Sequence, residues 1–359
     1  MTNDVQLVLV FGDGSALQDS ESLPWLRRQF PAALLFGCST AGEIRGTAVS
    51  DDSIVATAIH FEHATLQAAS AQVAAAGESF DVGMRLARSI PHAGLRHAFV
   101  LSDGLQVNGS ELVRGLTSKL PPGVSITGGL SGDGARFSNT YVLWNDRPES
   151  GLVAILGLYG AGLTVGYGSL GGWDPFGPER LITHSAGNVL YKLDGKSALA
   201  LYKQYLGEHA SGLPATGLLF PLSLRMSEGD TPVVRTILSV SDADQSMTFA
   251  GDVPEGAYAR LMKANFDRLR DGAVGAARVS QSGIRSGEPE LAILISCVGR
   301  KLVLKQRVEE EVEGVRSVLG SRPALTGFYS YGEISPFTPN ARCELHNQTM
   351  TITTLAEAA

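Results

Sequence analysis

Two eight-residue stretches of the chain share one pattern. Residues 37–44 read GCSTAGEI and residues 327–334 read GFYSYGEI, in both cases glycine, four residues, then Gly-Glu-Ile. Glycine admits positive φ and close backbone approach. The pattern therefore marks a glycine-hinged turn that ends in a carboxylate, and the chain uses it twice. The sequence around each copy runs parallel as well. VQLVLVFGDG (5–14) is an apolar run that predicts a buried strand, Trp25, Leu26 and Phe30 follow at helical spacing, and AALLFG (32–37) predicts a second strand into the turn. Near the other end, ELAILISCVGR (290–300) predicts a strand. Val308, Val312, Val315 and Leu319 form a helical stripe, and PALTG leads into the second turn.

A third copy lies between them. HAFVLSDG (97–104) predicts a strand and Leu112, Val113, Leu116 and Leu120 a helix. GVSITGGLSGDG (123–134) supplies the second strand and a turn one residue shorter, with Asp133 in place of the glutamate. Strand-like runs follow the turns: SIVATAIHF, NTYVLW and TMTITT. A further echo pairs residues 65–90 with 246–269, read as strand, loop and helix. In the second, Tyr258, Leu261, Met262, Phe266 and Leu269 form the expected stripe. The repeats predict an α+β fold of two related modules, 1–215 and 216–359, divided where glycine and proline gather in SGLPATGLLFPLSL. Each module is expected to be a twisted mixed sheet covered by helices, with the glycine turns of both halves meeting around a shared pocket. At roughly 150 residues per domain, 359 residues suit that division.

Composition narrows the function classes. With 44% apolar and 18% charged residues the chain can bury a substantial core. A net charge of −7 without a basic run argues against nucleic acid as partner. Cys38, Cys297 and Cys343 include no CxxC pair, which suits a reducing, cytoplasmic setting. The start, MTNDVQLVLVFGDG, has no basic n-region and is not read as a signal peptide. Residues 150–173 carry no charge and could span a bilayer, but eight glycines and a central YGAG predict two buried strands joined by a turn. GYGSLG (166–171) satisfies GxGxxG, yet the prolines of GWDPFGPER stand where a phosphate-binding helix would begin. His60 and His63 of HFEH are three apart and would point to opposite faces of a strand.

Taken together, GCSTAGEI and GGLSGDG in the first half, and SCVGR, GFYSYGEISP and HNQTMTI in the second, resemble the FIST sensory proteins, with their N-terminal and C-terminal modules. The resemblance covers nearly the whole chain. It implies an intracellular sensor, not an enzyme, that binds a small ligand and signals through a separate protein. Residues 172–214 also resemble the branch of that family that binds haem b and senses nitric oxide. Partners of that branch are a histidine kinase or a cyclic-di-GMP enzyme. No CxxCH is present, so haem would be held by coordination and packing.

On this reading His184 is the candidate iron ligand, with Thr183 and Ser185 to orient it, and Arg180 the candidate partner of a propionate. Otherwise His184 is a histidine hydrogen-bonded in a sheet. Cys38, Gly42, Glu43, Asp133, Cys297, Gly332 and Glu333 are the candidate ligand-binding residues of the turns and strand ends, Glu43 and Glu333 as polar fixtures near the pocket rim. Each has a plainer reading as a turn cap or small core residue. The alternatives kept open are a sensor of an amino-acid-like metabolite and an enzyme using pocket carboxylates and a thiol.

Overall fold

The structure is a computed structural model that describes residues 4–358, except Ser20, Thr231, Ser286 and 338–340. Three strand–helix–strand units form its core. Their paired strands are Leu7–Gly12 with Leu34–Ser39, Leu95–Ser102 with Ser125–Leu130, and Leu291–Cys297 with Ala324–Ser330. Each pair is parallel, as a helical crossover demands. A third strand then adds antiparallel to the first: Ile54–Ile59, Leu152–Tyr159 and Met350–Glu357 respectively. The sequence pattern suggests NTYVLW in that role for the middle unit. There the third strand is instead LVAILGLY, from the uncharged stretch.

NTYVLW belongs to a different device. After each glycine turn the chain leaves its own sheet as a short hairpin and joins another unit. Glu43–Arg45 pairs with Ala324–Ser330, Gly332–Pro336 with Ser125–Leu130, and Val142–Trp144 with Leu34–Ser39. Unit one thus gives a strand to unit three, unit three to unit two, and unit two to unit one. The ring is closed, and each incoming strand carries its hairpin mate on the outside (Ala48–Ser50, Cys343–His346 and Arg147–Glu149).

The glycine four residues into each second strand makes the parallel pairing possible. Gly37, Gly128 and Gly327 stand opposite Val10, Val100 and Leu294, and a Cβ on any of them would overlap the facing carbonyl oxygen.

Units two and three each gain a lead strand and a helix. Thr65–Gln72 borders Leu152–Tyr159, and Leu163–Leu170 borders Met350–Glu357. Both strands of the uncharged stretch are therefore real, but they lie in different sheets and form no hairpin. No helix among the described residues is long and apolar enough to cross a membrane. The glycines of GYGSLG serve packing. A Cβ at Gly166 or Gly168 would overlap the backbone carbonyls of Ser280 or Ala276 in the helix Phe266–Ser282.

That helix follows its lead strand only after an insertion. Residues 174–263 form an eight-stranded sheet beginning with Asp174–Ala186 and ending with Tyr258–Lys263. The insert has a hydrophobic cluster of its own, built around Ile182, Tyr202, Leu222 and Phe249. It straddles residue 215, where the boundary between the modules 1–215 and 216–359 is expected. The helix expected over 258–269 is corrected. Tyr258–Lys263 alternates exposed and buried as a strand, and the helix begins at Phe266, where the Asn265 side chain caps the Arg268 N–H.

Candidate functional site

The three glycine turns do converge. Ala41, Gly132 and Tyr331 occupy matching positions, and a Cβ on Gly132 would lie 3.1–3.3 Å from atoms of the other two. Ala41 N–H donates to the Tyr329 carbonyl and Gly132 N–H to that of Ser39, so the turns are stitched by backbone bonds. The junction is packed, however. Ala41, Gly132 and Tyr331 are buried, and Tyr331 stacks on Phe137 with ring centroids 4.4 Å apart. The expected shared pocket is filled by the turns themselves.

The carboxylates are buried staples. Glu43 accepts from the Thr40 hydroxyl at 2.5 Å and from the Ser53 hydroxyl and N–H at 2.6 and 3.3 Å. Glu333 repeats the pattern with the Ser330 hydroxyl at 2.6 Å and the Thr349 hydroxyl and N–H at 2.9 and 3.2 Å. Each glutamate ties its turn to the residue just before the unit's third strand. Burial pushes both carboxyls up in pKa, Glu333 to about 8, against the lowering effect of those bonds. Gly42 keeps φ at +135°, beside the Lys301 ammonium, and Gly332 packs against Leu345 and Leu130.

Stability should therefore fall with pH because of Glu333. Its folded pKa lies above the unfolded value, so its contribution is complete below about pH 4.5 and is lost as pH rises through about 8. The loss approaches about 1.4 kcal/mol per pH unit in that window. Urea titrations from pH 6 to 9 should show the wild type losing stability relative to Glu333→Gln. Parallel curves would contradict the assignment.

The middle unit does this differently. Asp133 takes the N–H groups of Phe137, Ser138 and Asn139 at 2.8–2.9 Å, the Ser138 hydroxyl at 2.9 Å and the Tyr331 hydroxyl. Burial raises its carboxyl, but the Asn139 N–H and the Tyr331 hydroxyl outweigh it and leave the pKa below the ordinary value. The link to the third strand passes to Asp103, which accepts from Gly151 N–H at 3.0 Å and Ser150 at 3.2 Å. Ser131, the counterpart of Thr40 and Ser330, is left with a buried hydroxyl that has no partner among the described residues. Ser131→Ala should accordingly change stability by less than about 0.5 kcal/mol, while Ser330→Ala costs about 1–3 kcal/mol by stranding Glu333. Equal losses in chemical denaturation would refute the difference.

Cys38 and Cys297 are core residues. Both are buried, and burial pushes both thiols well up in pKa, so neither is an activated nucleophile. His184 stands on an exposed strand of the insert. Its side chain is 55% exposed, with Nδ1 3.4 Å from Glu255 and the ring stacked on Tyr191 at 5.0 Å. Arg180 is engaged by the Tyr205 hydroxyl and, at 2.8 Å, by Asp194. A haem needs apolar walls that bury most of the macrocycle. These residues offer a ligand on an open face and a guanidinium already committed, so they do not fit that group.

Open space lies elsewhere. A cleft of about 820 Å³ opens where the insert meets the core. One wall is the first half of the helix Gly109–Thr117, with the Gly171–Gly172–Trp173 bend beside it. The other is the insert's strand pair Leu222–Arg225 and Val233–Arg235. Leu345 and Thr349 reach it from the third unit. None of the nine residues singled out from the sequence lines this cleft. Glu333 is one side chain behind it, through Thr349. The residue that sequence reasoning missed is Arg235, a lone charge inside the run PVVRTIL; a charge in an apolar run was the available signal.

Comparison with known proteins accounts for both halves of the chain. The FIST N domain model matches residues 6–196 and the FIST C domain model residues 198–336. No curated relative matches. Among solved structures, a cyanuric acid hydrolase from A. caulinodans aligns over 99% of this chain and 91% of its own, at 8% identity and a TM-score of 0.36. That likeness is too distant to bear on chemistry. With the two models spanning nearly all of its length, the chain belongs to the FIST family, whose domains are associated with small-ligand sensing in signalling.

Proposed function

We propose that this chain is a small-ligand sensor whose binding site is the cleft between the insert and the core. The observation that carries the reading is the cleft itself. Its volume falls in the ~300–1,000 Å³ range of small-molecule sites, and its walls come from two separately packed hydrophobic clusters. A ligand that touches both walls binds one seating of the insert better than another, which is what shifting a two-state equilibrium requires. Output would then pass to a separate protein such as a histidine kinase or a cyclic-di-GMP enzyme, through the insert's surface.

The test is a melting-temperature screen against a metabolite library, repeated on a variant that fills the cleft, Ser223→Trp. A ligand at 100 times its Kd adds about 2.7 kcal/mol. The wild type should respond to at least one compound, and the variant, with its unliganded melting point kept, should not. Equal responses would place the site elsewhere. A metabolite with an amino-acid-like skeleton is within the size of the cleft. The haem reading has a separate readout: added haem would give a Soret band that His184→Ala weakens, and that result would displace the cleft as the sensing site.

A further inference from the structure

Arg235 differs from Arg300, the other buried arginine among the described residues. Arg300 is buried against Glu311, its Nη2 2.8 Å from that carboxylate. Arg235 is 6% exposed and has no carboxylate within ion-pair distance among the described residues. Backbone carbonyls hold it instead. Nε donates to Asp252 at 3.0 Å, and Nη1 donates to Val234 at 3.3 Å and to Leu345 at 2.9 Å.

An arginine has five N–H donors. Three are spent on those carbonyls, which fix the guanidinium plane between the insert and the third unit. The two on Nη2 have no acceptor among the described residues, and Arg235 lines the cleft. Gly251 allows the arrangement, since a Cβ there would lie 2.9 Å from Nε. Burying a cation without a bonded counter-charge is costly. Asp252 and Glu344 act on it through space but form no ion pair. The unspent donors, on a charge that no carboxylate bonds directly, call for an anion arriving from the cleft.

We propose that the cleft takes a small monocarboxylate whose acid group sits on Nη2 of Arg235, an assignment that rests on the cleft being the ligand site. One nitrogen is on offer, not the two-nitrogen fork that grips phosphate or a bidentate carboxylate. Among the described residues four acids and four arginines line the cleft, and of these Asp252 and Glu344, which act on Arg235 through space, stand against a second negative charge beside it.

The test uses the full chain and acids paired with their neutral amides: isobutyrate and isobutyramide, benzoate and benzamide, N-acetylleucine and N-acetylleucinamide, with inorganic phosphate alongside. Trp173 lines the cleft, and its fluorescence reports occupancy when the signal is absent from Trp173→Phe. At least one acid should bind saturably at or below tens of millimolar, with its amide at least about tenfold weaker. Lysine has three donors where Arg235 already spends three on carbonyls, so Arg235→Lys should weaken the acid at least about tenfold, and Arg235→Gln should abolish it. Should the glutamine variant not fold, the acid–amide comparison on wild type and the lysine variant still decide. Trp173 responding equally to acid and amide overturns the carboxylate while the cleft reading stands. A response to phosphate alone, or acid binding indifferent to Arg235→Lys, overturns it too. Silence from every probe overturns it together with the cleft reading for this ligand class.

Discussion

Replacing Glu311 by alanine is expected to cost about 3–5 kcal/mol of stability, because it leaves an arginine charged and unpaired in the interior. Glu311 and Arg300 are both fully buried. One carboxylate oxygen accepts from Nε and Nη2 of Arg300 at 3.1 and 2.8 Å, and the other from the Ser296 hydroxyl at 3.0 Å and the Tyr329 hydroxyl at 2.7 Å. Two of the three remaining guanidinium donors hold the carbonyls of Leu269 and Gly171. Gly171 lies in the cleft wall, so the same network fixes one side of the proposed site. Removing both charges is a different case. Arg300→Met with Glu311→Leu should recover much of the loss, since the desolvation cost goes with the pair. Urea denaturation of the three variants measures this, and a loss below about 1 kcal/mol for Glu311→Ala would contradict a closed, mutually dependent pair.

Gly327→Ala is expected to be as damaging or worse, with a loss above about 4 kcal/mol or no folded protein. Its Cβ would occupy the space of the Leu294 carbonyl oxygen, which belongs to backbone and cannot swing aside. Relief would require parting two central strands that also carry the strand entering from unit one. Gly128→Ala should behave alike against Val100. Gly94→Ala is the control. It also has positive φ, at +75°, but nothing within 4 Å, and should cost only the left-handed backbone strain of about 1–2 kcal/mol. Similar losses at Gly327 and Gly94 would mean that conformation, not the close strand approach, sets the requirement for glycine.

These glycines also show how much of the fold is legible in the sequence. Apolar runs and helical stripes place the paired strands of all three units, because a strand buried on both faces must be continuously apolar. The refrain GCSTAGEI and GFYSYGEI marks two units related in detail, and the Thr40–Glu43–Ser53 and Ser330–Glu333–Thr349 staples are its physical content. The exchange of strands is not legible. Glu43–Arg45 and Val142–Trp144 are three residues each, too short for alternation to declare a partner. The insert is hidden because it separates a lead strand from its helix by the whole span 174–263, and periodicity is a local signal.

The site is the least legible part. Gly-Glu at a turn reads as polar and exposed, and only the closure of the ring buries Glu43 and Glu333. His184 and Arg180 carry weight through resemblance, yet they stand on an open strand of the insert, away from the cleft. Arg235 escapes notice because its meaning depends on what it lacks, a carboxylate partner, and sequence spacing does not reveal that.

On the proposed function a ligand enters between insert and core, and not at the junction of the three turns. A crystal structure of the chain grown with a compound that raises its melting temperature tests this most directly. Density for that compound is expected between the helix Gly109–Thr117 and the strand pair Leu222–Arg225 and Val233–Arg235. Density among Ala41, Gly132 and Tyr331, or against His184, with that cleft empty, would contradict it.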